Sequence, residues 1–200
     1  MSRPLRFELA GVPYHVIQRG NDRRPIVVSD DDRTFLIGAL ALATTRAPVA
    51  IHAYVVMDNH VHLLVSPLEA GNLGRMMQSV GVRYVAWFNR RYGRSGTLFE
   101  SRYRASLIED DNHLLACQRY IEMNPVRAGI VSRPAAFCWS SHRANAYGRC
   151  DPLVVPHPTY MALGGDVRRR TRRYRSLFGT PMGSDPDAHA DGVRPRTAST

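Results

Sequence analysis

The sequence predicts an α+β protein: an antiparallel sheet with helices packed on one face, followed by a basic C-terminal extension. Three observations carry this. β-branched and aromatic runs alternate with longer stretches whose apolar residues recur three and four apart, the periods of strand and helix. Two of the strand-like runs are separated only by Asp58-Asn59, a hairpin link that makes them antiparallel neighbours. The order strand, helix, hairpin, helix, strand, helix suits a sheet whose helices gather on one side.

Val12 to Arg19 is the first strand, stopped by Gly20-Asn21. Asp30-Asp31-Asp32 supplies cap and first-turn acids for a helix through about Arg46, with Phe35, Leu36, Ala39, Leu40 and Ala43 on its inner face. Val49 to Met57 and His60 to Ser66 form the hairpin, and a long helix runs from Gly71 or Asn72 to about Tyr92, with Leu73, Met76, Met77, Val80, Tyr84, Trp87 and Phe88 along one stripe. After a glycine loop, Tyr103 to Ile108 is extended. A further helix is expected from about Asp111 to Met123, interrupted at Asn124-Pro125 because a residue before proline avoids the α region. Asn124 also reads well as the cap of a short helix beyond it. Arg168 to Arg175 is a basic cluster, either a DNA-binding extension or an unstructured basic tail. Residues 180–200 are rich in Gly, Pro, Asp, Ser and Thr, and are expected to be disordered.

The chain has 200 residues, 44% of them hydrophobic, enough for one domain with a core. Its formal charge is +10, from 27 basic and 17 acidic residues, and every basic residue is arginine. Arginine forks onto phosphate and stacks on bases, which suits nucleic acid, and codon usage in a GC-rich genome gives the same choice. The excess charge is independent of that choice and points to a polyanion, nucleic acid first. Cys117, Cys138 and Cys150 form neither a CxxC pair nor a zinc-finger spacing, which excludes a disulfide framework. Met1-Ser2-Arg3-Pro4 opens no apolar signal segment, and no run approaches the ~20 apolar residues of a membrane span. A soluble, cytoplasmic, nucleoid-associated protein with no membrane partner is expected.

His60 and His62 lie two apart on a strand, so both imidazoles project from one face. Two neutral imidazoles make a start on a divalent-metal site, although such a pair alone is more often two half-buried polar residues. Tyr120 and Asn124 are four apart and share a helical face. A phenol, with a free pKa near 10, needs help from a metal or base to act as a nucleophile. Taken alone, Tyr120 is more often a ring packed on the sheet. His15 and His52 sit on strands that could bring them near the site but read more readily as satisfied structural histidines, Glu122 as lying off Tyr120's face, and Asp30 to Asp32 as caps.

Taken together, Pro13-Tyr14-His15-Val16 with Arg19-Gly20-Asn21, then Met57-Asp58-Asn59-His60-Val61-His62-Leu63-Leu64, then Arg119-Tyr120-Ile121-Glu122-Met123-Asn124-Pro125-Val126-Arg127-Ala128-Gly129 resemble the REP-associated tyrosine transposases. That group lies within the HUH superfamily of single-tyrosine transposases, and the resemblance spans roughly residues 10 to 145. It implies a ferredoxin-like fold with the histidine pair on a central strand. With the composition shift after about Tyr147, the chain is expected to divide into a catalytic domain over residues 1–148, a basic extension over 149–179 and a tail over 180–200.

By the same resemblance, His60, His62 and Asn124 are ligands of Mg²⁺ or Mn²⁺ and Tyr120 is the nucleophile. Relatives often carry Gln where this chain has Asn124. The implied activity is metal-dependent nicking and strand transfer on single-stranded DNA with hairpin or palindromic structure, through a 5′-phosphotyrosine, with a monomer favoured. Arg19, Arg23, Arg24, Arg83, Arg102, Arg104 and Arg119 are expected DNA contacts, each of which also fits an ordinary solvated basic face. Two other readings stay open: an inactive hairpin- or sequence-specific DNA-binding protein, and a hydrolase in which water attacks.

Overall fold

The structure, a computed structural model, describes residues 8–179. The expected tail over 180–200 lies outside the described residues. Strand β1 is Tyr14–Arg19, helix α1 Asp30–Arg46, strands β2 and β3 Val49–Val56 and His60–Pro67, helix α2 Asn72–Arg91, strand β4 Arg104–Leu107 and helix α3 Asp111–Arg127. The four strands form one antiparallel sheet in the order β2-β3-β1-β4. That is the ferredoxin-like arrangement, in which β1 and β3 are central. β1 starts two residues later than the apolar pattern suggests.

Local chemistry sets the element ends. The Asp32 carboxylate turns back to accept from the backbone nitrogens of Val28 (2.6 Å) and Ser29 (2.9 Å), satisfying donors at the start of α1. Asp110 caps α3 by accepting from the His113 backbone nitrogen at 2.8 Å. The hairpin closes with the Met57 nitrogen on the His60 carbonyl at 2.9 Å. In β2, Ile51 pairs with Val65 but Ala53 pairs with Leu64, so His52 is the extra residue of a bulge. The bulge swaps the faces: Val49 and Ile51 before it, and Tyr54 and Val56 after it, pack in the same core.

The expectation that helices gather on one face holds for α1 and α2 and fails for α3. Leu36, Leu40, Leu73, Met76 and Tyr84 pack with Val16, Val61, Leu63 and Val65 on one side. Leu114, Cys117, Tyr120 and Ile121 of α3 pack with Ala53, Val55 and Leu64 on the other. The physical reason is β3 itself. All its residues but His60 are buried, and a strand buried on both faces needs cover on both. Each fully buried aliphatic side chain of α3 stabilises the seat by roughly 1.5–3 kcal/mol, and truncating Leu114 to alanine costs about 2–5 kcal/mol.

α3 also corrects the expected break at Asn124-Pro125. It runs through Pro125 to Arg127. Ile121, Asn124 and Pro125 are all buried, so packing outweighs the one backbone hydrogen bond that proline forfeits. Asn124 is therefore a helix-interior residue and caps nothing.

Beyond α3 the chain forms short helices α4 (His142–Tyr147) and α5 (Pro158–Met161), then α6 (Val167–Ser176). The arginine cluster is thus a helix and not an unstructured tail. Ala146, Tyr160 and Tyr174 make a small core between these helices. One of its links to the sheet layer is Glu122 of α3, which is completely buried. The Glu122 carboxylate accepts from Ser141 Oγ (2.6 Å), Asn145 Nδ2 (2.8 Å), Tyr174 OH (2.9 Å) and His142 Nδ1 (3.0 Å).

Candidate active site

β3 places His60 and His62 on the face that α3 covers, because alternate residues of a strand share a side. Their ring centroids are 4.8 Å apart and nearly perpendicular. His62 is buried, while His60 is half-buried beside the hairpin turn. In the β1–β3 register Ile17 lies opposite His62 and His15 opposite Leu64, which makes His15 and His62 diagonal neighbours on that face. His15 Nε2 and His62 Nδ1 are 2.9 Å apart, and the two rings stack at 15°.

From above, α3 lowers Tyr120 onto this pair. Its ring centroid is 5.8 Å from His62 and 5.9 Å from His15, edge-on to both. The Arg127 guanidinium sits 4.5 Å over the Tyr120 ring centroid, a cation–π contact beside the phenol. Asn124 is one turn along from Tyr120, and its amide nitrogen donates to the Tyr120 carbonyl oxygen at 3.4 Å.

The electrostatics keep His62 neutral. Burial pushes its pKa well below the ordinary histidine value, and His15, His60, Arg19 and Arg127 push in the same direction. A neutral imidazole keeps a lone pair for a ligand. For His60, Asn59 Oδ1 lies 2.6 Å from Nδ1. A carboxamide oxygen only accepts, so Nδ1 carries the hydrogen and Nε2 the lone pair. Among the described residues no three His, Cys, Asp or Glu side chains are grouped to hold a metal. Two imidazoles therefore fit a divalent ion only if a ligand of another type completes the set. The Asn124 amide oxygen is the donor of that kind on Tyr120's helix face.

The arginines divide. Arg19 ends β1 opposite His60 and is near enough to His62 to affect its charge. Arg23 and Arg24 are exposed on the loop that follows. This loop is tight: a Cβ on Gly20 would lie 2.1 Å from the Arg24 carbonyl oxygen, and Asp22 and Arg23 take positive φ of 51° and 58°. Arg102 and Arg104 are exposed at the start of β4. Arg83 is exposed on α2, in the helix layer opposite Tyr120. The Arg119 guanidinium lies 6.0 Å over Phe178, turned to the C-terminal unit, where burial lowers its pKa. Tyr84 is fully buried core, and Tyr103 is half-buried with its hydroxyl near Gly74. His15 and Arg127 are the site neighbours that sequence reasoning does not select. Both lie inside the quoted motifs, and only the register and the unbroken helix bring them in.

Comparison with known families puts the chain in a class of DNA-processing enzymes, the transposases. The family model described as "Transposase IS200 like" matches residues 9–124. The chain belongs to the IS200-like transposase family. Among solved structures, a REP-associated tyrosine transposase bound to a REP hairpin shares the fold, with a TM-score of 0.57, 20% identity, and coverage of 78% of this chain and 93% of that one. A transposase-assigned crystal structure from Deinococcus radiodurans aligns at a TM-score of 0.42 and 20% identity, over 60% of this chain and 96% of that one, too weakly to carry an argument. No curated protein matches the chain in sequence. Among the described residues no helix is long and apolar enough to cross a membrane.

Proposed function

We propose that the chain nicks and rejoins single-stranded DNA beside a hairpin, with Tyr120 as nucleophile. The observation that carries this is the seating of the Tyr120 ring against His15 and His62 with the Arg127 guanidinium over it. A hairpin substrate is supported by the REP hairpin bound to the similar transposase. We assign residues up to 148 to catalysis, with the helices of 149–179 seated against them, and a monomer as the working unit.

His60 and His62, with the amide oxygen of Asn124, would hold Mg²⁺ or Mn²⁺. When bound, such an ion supplies Lewis-acid neutralisation of charge on the scissile phosphate. The protein's own side chains do the rest. His15 holds His62 in a fixed ring orientation. Arg19 and Arg127 flank the cluster and attract the phosphate. Arg127, over the phenol ring, puts a positive charge beside the attacking group. The Tyr120 oxygen attacks phosphorus in line, forming a tyrosyl O–P bond as the P–O3′ bond breaks. The phenol proton is balanced by the one taken up at the leaving 3′ oxygen. The phosphotyrosyl bond retains the energy of the diester, so a second 3′ hydroxyl rejoins the strand by the reverse step. A tyrosine fixed on a helix requires an accessible, bent strand, hence single-stranded DNA. Exposed Arg23, Arg24, Arg102 and Arg104 would hold flanking phosphates.

The second reading, hairpin binding without chemistry, draws on the low exposure of Tyr120, 6%. One experiment separates the two. Labelled single-stranded hairpin DNA is incubated with wild type and Tyr120→Phe, in Mn²⁺, Mg²⁺ or EDTA, and run on a denaturing gel. The proposal expects a metal-dependent protein–DNA adduct that vanishes in Tyr120→Phe. Cleavage persisting in Tyr120→Phe means water attacks. Binding without an adduct across a hairpin panel means the non-catalytic reading holds.

A further inference from the structure

We infer that helix α6 is a second DNA-binding surface, which takes the phosphate backbone of the hairpin stem while Tyr120 works on the adjoining single strand. The inference rests on the DNA-processing reading above. α6 carries six arginines and no acid in its ten residues. Thr171 and Tyr174 face inward and are buried, whereas Arg168, Arg169, Arg172, Arg173 and Arg175 are exposed. Arg168 and Arg172, like Arg169 and Arg173, stand four apart, so the outer face bears two arginine rows. Like charges at this spacing repel. Asp166 offsets the repulsion at Arg169, at 3.4 Å. A row repeats each turn, about 5.4 Å, close to the separation of successive phosphates on one strand. Repulsion within the free helix becomes attraction once a polyanion lies along it.

The second observation is that this face is held rigidly. Tyr174 donates at 2.9 Å to Glu122, two residues beyond the nucleophile on α3. A Cβ on Gly148 would come within 2.8 Å of Val167, and one on Gly164 within 2.7 Å of Arg169 Cβ and 2.8 Å of the Arg170 nitrogen. Two backbone segments therefore press directly on α6. Arg170 and Arg173 donate to the carbonyls of Gly164 (3.1 Å) and Leu163 (2.8 Å). A merely solubilising basic segment needs no such seat. A seated helix presents its arginines at a set position relative to Tyr120, which is what recognition of a rigid stem next to a cleavage point requires.

The test is binding in EDTA, in a Tyr120→Phe background, so that no chemistry intervenes. Probes are a blunt hairpin stem without a tail and an unstructured single strand. Arg168→Gln/Arg172→Gln alters two exposed side chains, and circular dichroism checks that the helix persists. Arg46→Gln, on exposed α1 surface, controls for the loss of a surface arginine elsewhere. On the stem, the slope of log K against log salt should shrink by about 0.9 for each phosphate no longer neutralised, about 1.8 for the double variant, and affinity at ~0.1 M salt should fall about tenfold or more. The single strand and Arg46→Gln should change little. A stem slope equal to the parent's, or weakening confined to the single strand, overturns the inference. Because this assay needs no adduct, an inactive Tyr120 would sink the catalytic proposal and leave this surface standing.

Discussion

His15 Nε2 lies 2.9 Å from His62 Nδ1 with the rings stacked, so β1 fixes the orientation of the histidine that β3 presents to Tyr120. A hydrogen-bond partner on the non-ligating nitrogen usually changes metal affinity or activity by 10–100-fold when removed. His15→Ala should therefore raise the metal concentration needed for half-maximal adduct formation by about 10–100-fold. His15→Gln, which can still pair, should recover part of it. Metal titrations of adduct yield decide the matter. A wild-type titration curve for His15→Ala would reduce the pair to packing.

The same residue shows what a sequence can and cannot disclose. Strand and helix periods locate β1 to β4, α1 and α2 to within a few residues, because each element's apolar pattern is local. His60 and His62 are local too: two residues on one strand share a face whatever the register. His15 reaches His62 only through the β1–β3 register, which depends on contacts between segments some forty-five residues apart in the chain. α3 departs from expectation at both levels. The proline rule describes an unsupported helix, whereas here buried Ile121 and Asn124 hold the last turn. The one-face expectation fails because β3 hides polar His62 and apolar Leu64 on its second face. Helical spacing sets Glu122 off Tyr120's face, as the structure has it. Its four partners come from 141–174, and no spacing rule connects them.

Glu122 should be the most stability-sensitive polar residue among the described residues. Four donors converge on one buried carboxylate, and removing the acceptor strands them in a dry interior. Glu122→Ala is expected to cost about 3–5 kcal/mol, lowering Tm by roughly 10 °C for a chain of this size. Glu122→Gln should also destabilise, since its NH₂ group turns donors toward donors. Thermal melts measure this. A Glu122→Ala melt within a couple of degrees of wild type would mean the C-terminal unit is not anchored through this carboxylate.

His52 makes stability depend on pH. Burial is the main cause that lowers its pKa from 6.5 to about 4, with His157 adding to it and the Val155 hydrogen bond opposing. The carbonyl of Val155, 2.7 Å away, requires a hydrogen on Nδ1, and Ser66 Oγ at 2.9 Å satisfies Nε2 of the neutral ring. The unfolded chain therefore binds the proton at higher pH than the native one. Stability from this group is full above pH 6.5 and is lost as pH falls toward about 4, by about 3 kcal/mol in all. Urea midpoints across that range, for wild type and His52→Gln, test it. The difference between the two should grow as pH drops below neutral in favour of the glutamine protein. Parallel curves would show that His52 does not carry the linkage.

Asn124 offers the sharpest separation between holding the metal and using it. Its amide nitrogen is engaged with the Tyr120 carbonyl, which leaves the amide oxygen as the group a metal would meet. Asn124→Ala removes that oxygen and should weaken metal affinity by about 10–100-fold without unfolding the protein, since the helix gains propensity from alanine. Asn124→Asp should do the opposite to binding and still harm the reaction. A carboxylate binds a hard cation more tightly than an amide does, but it quenches the charge that neutralises the phosphate. Asn124→Gln keeps the amide chemistry one methylene further out and should retain most activity. The measurement is adduct formation against Mn²⁺ and Mg²⁺ concentration for all three variants. An aspartate protein with both wild-type affinity and wild-type maximal rate would place Asn124 outside the ligand set, and the third donor would then have to be sought elsewhere.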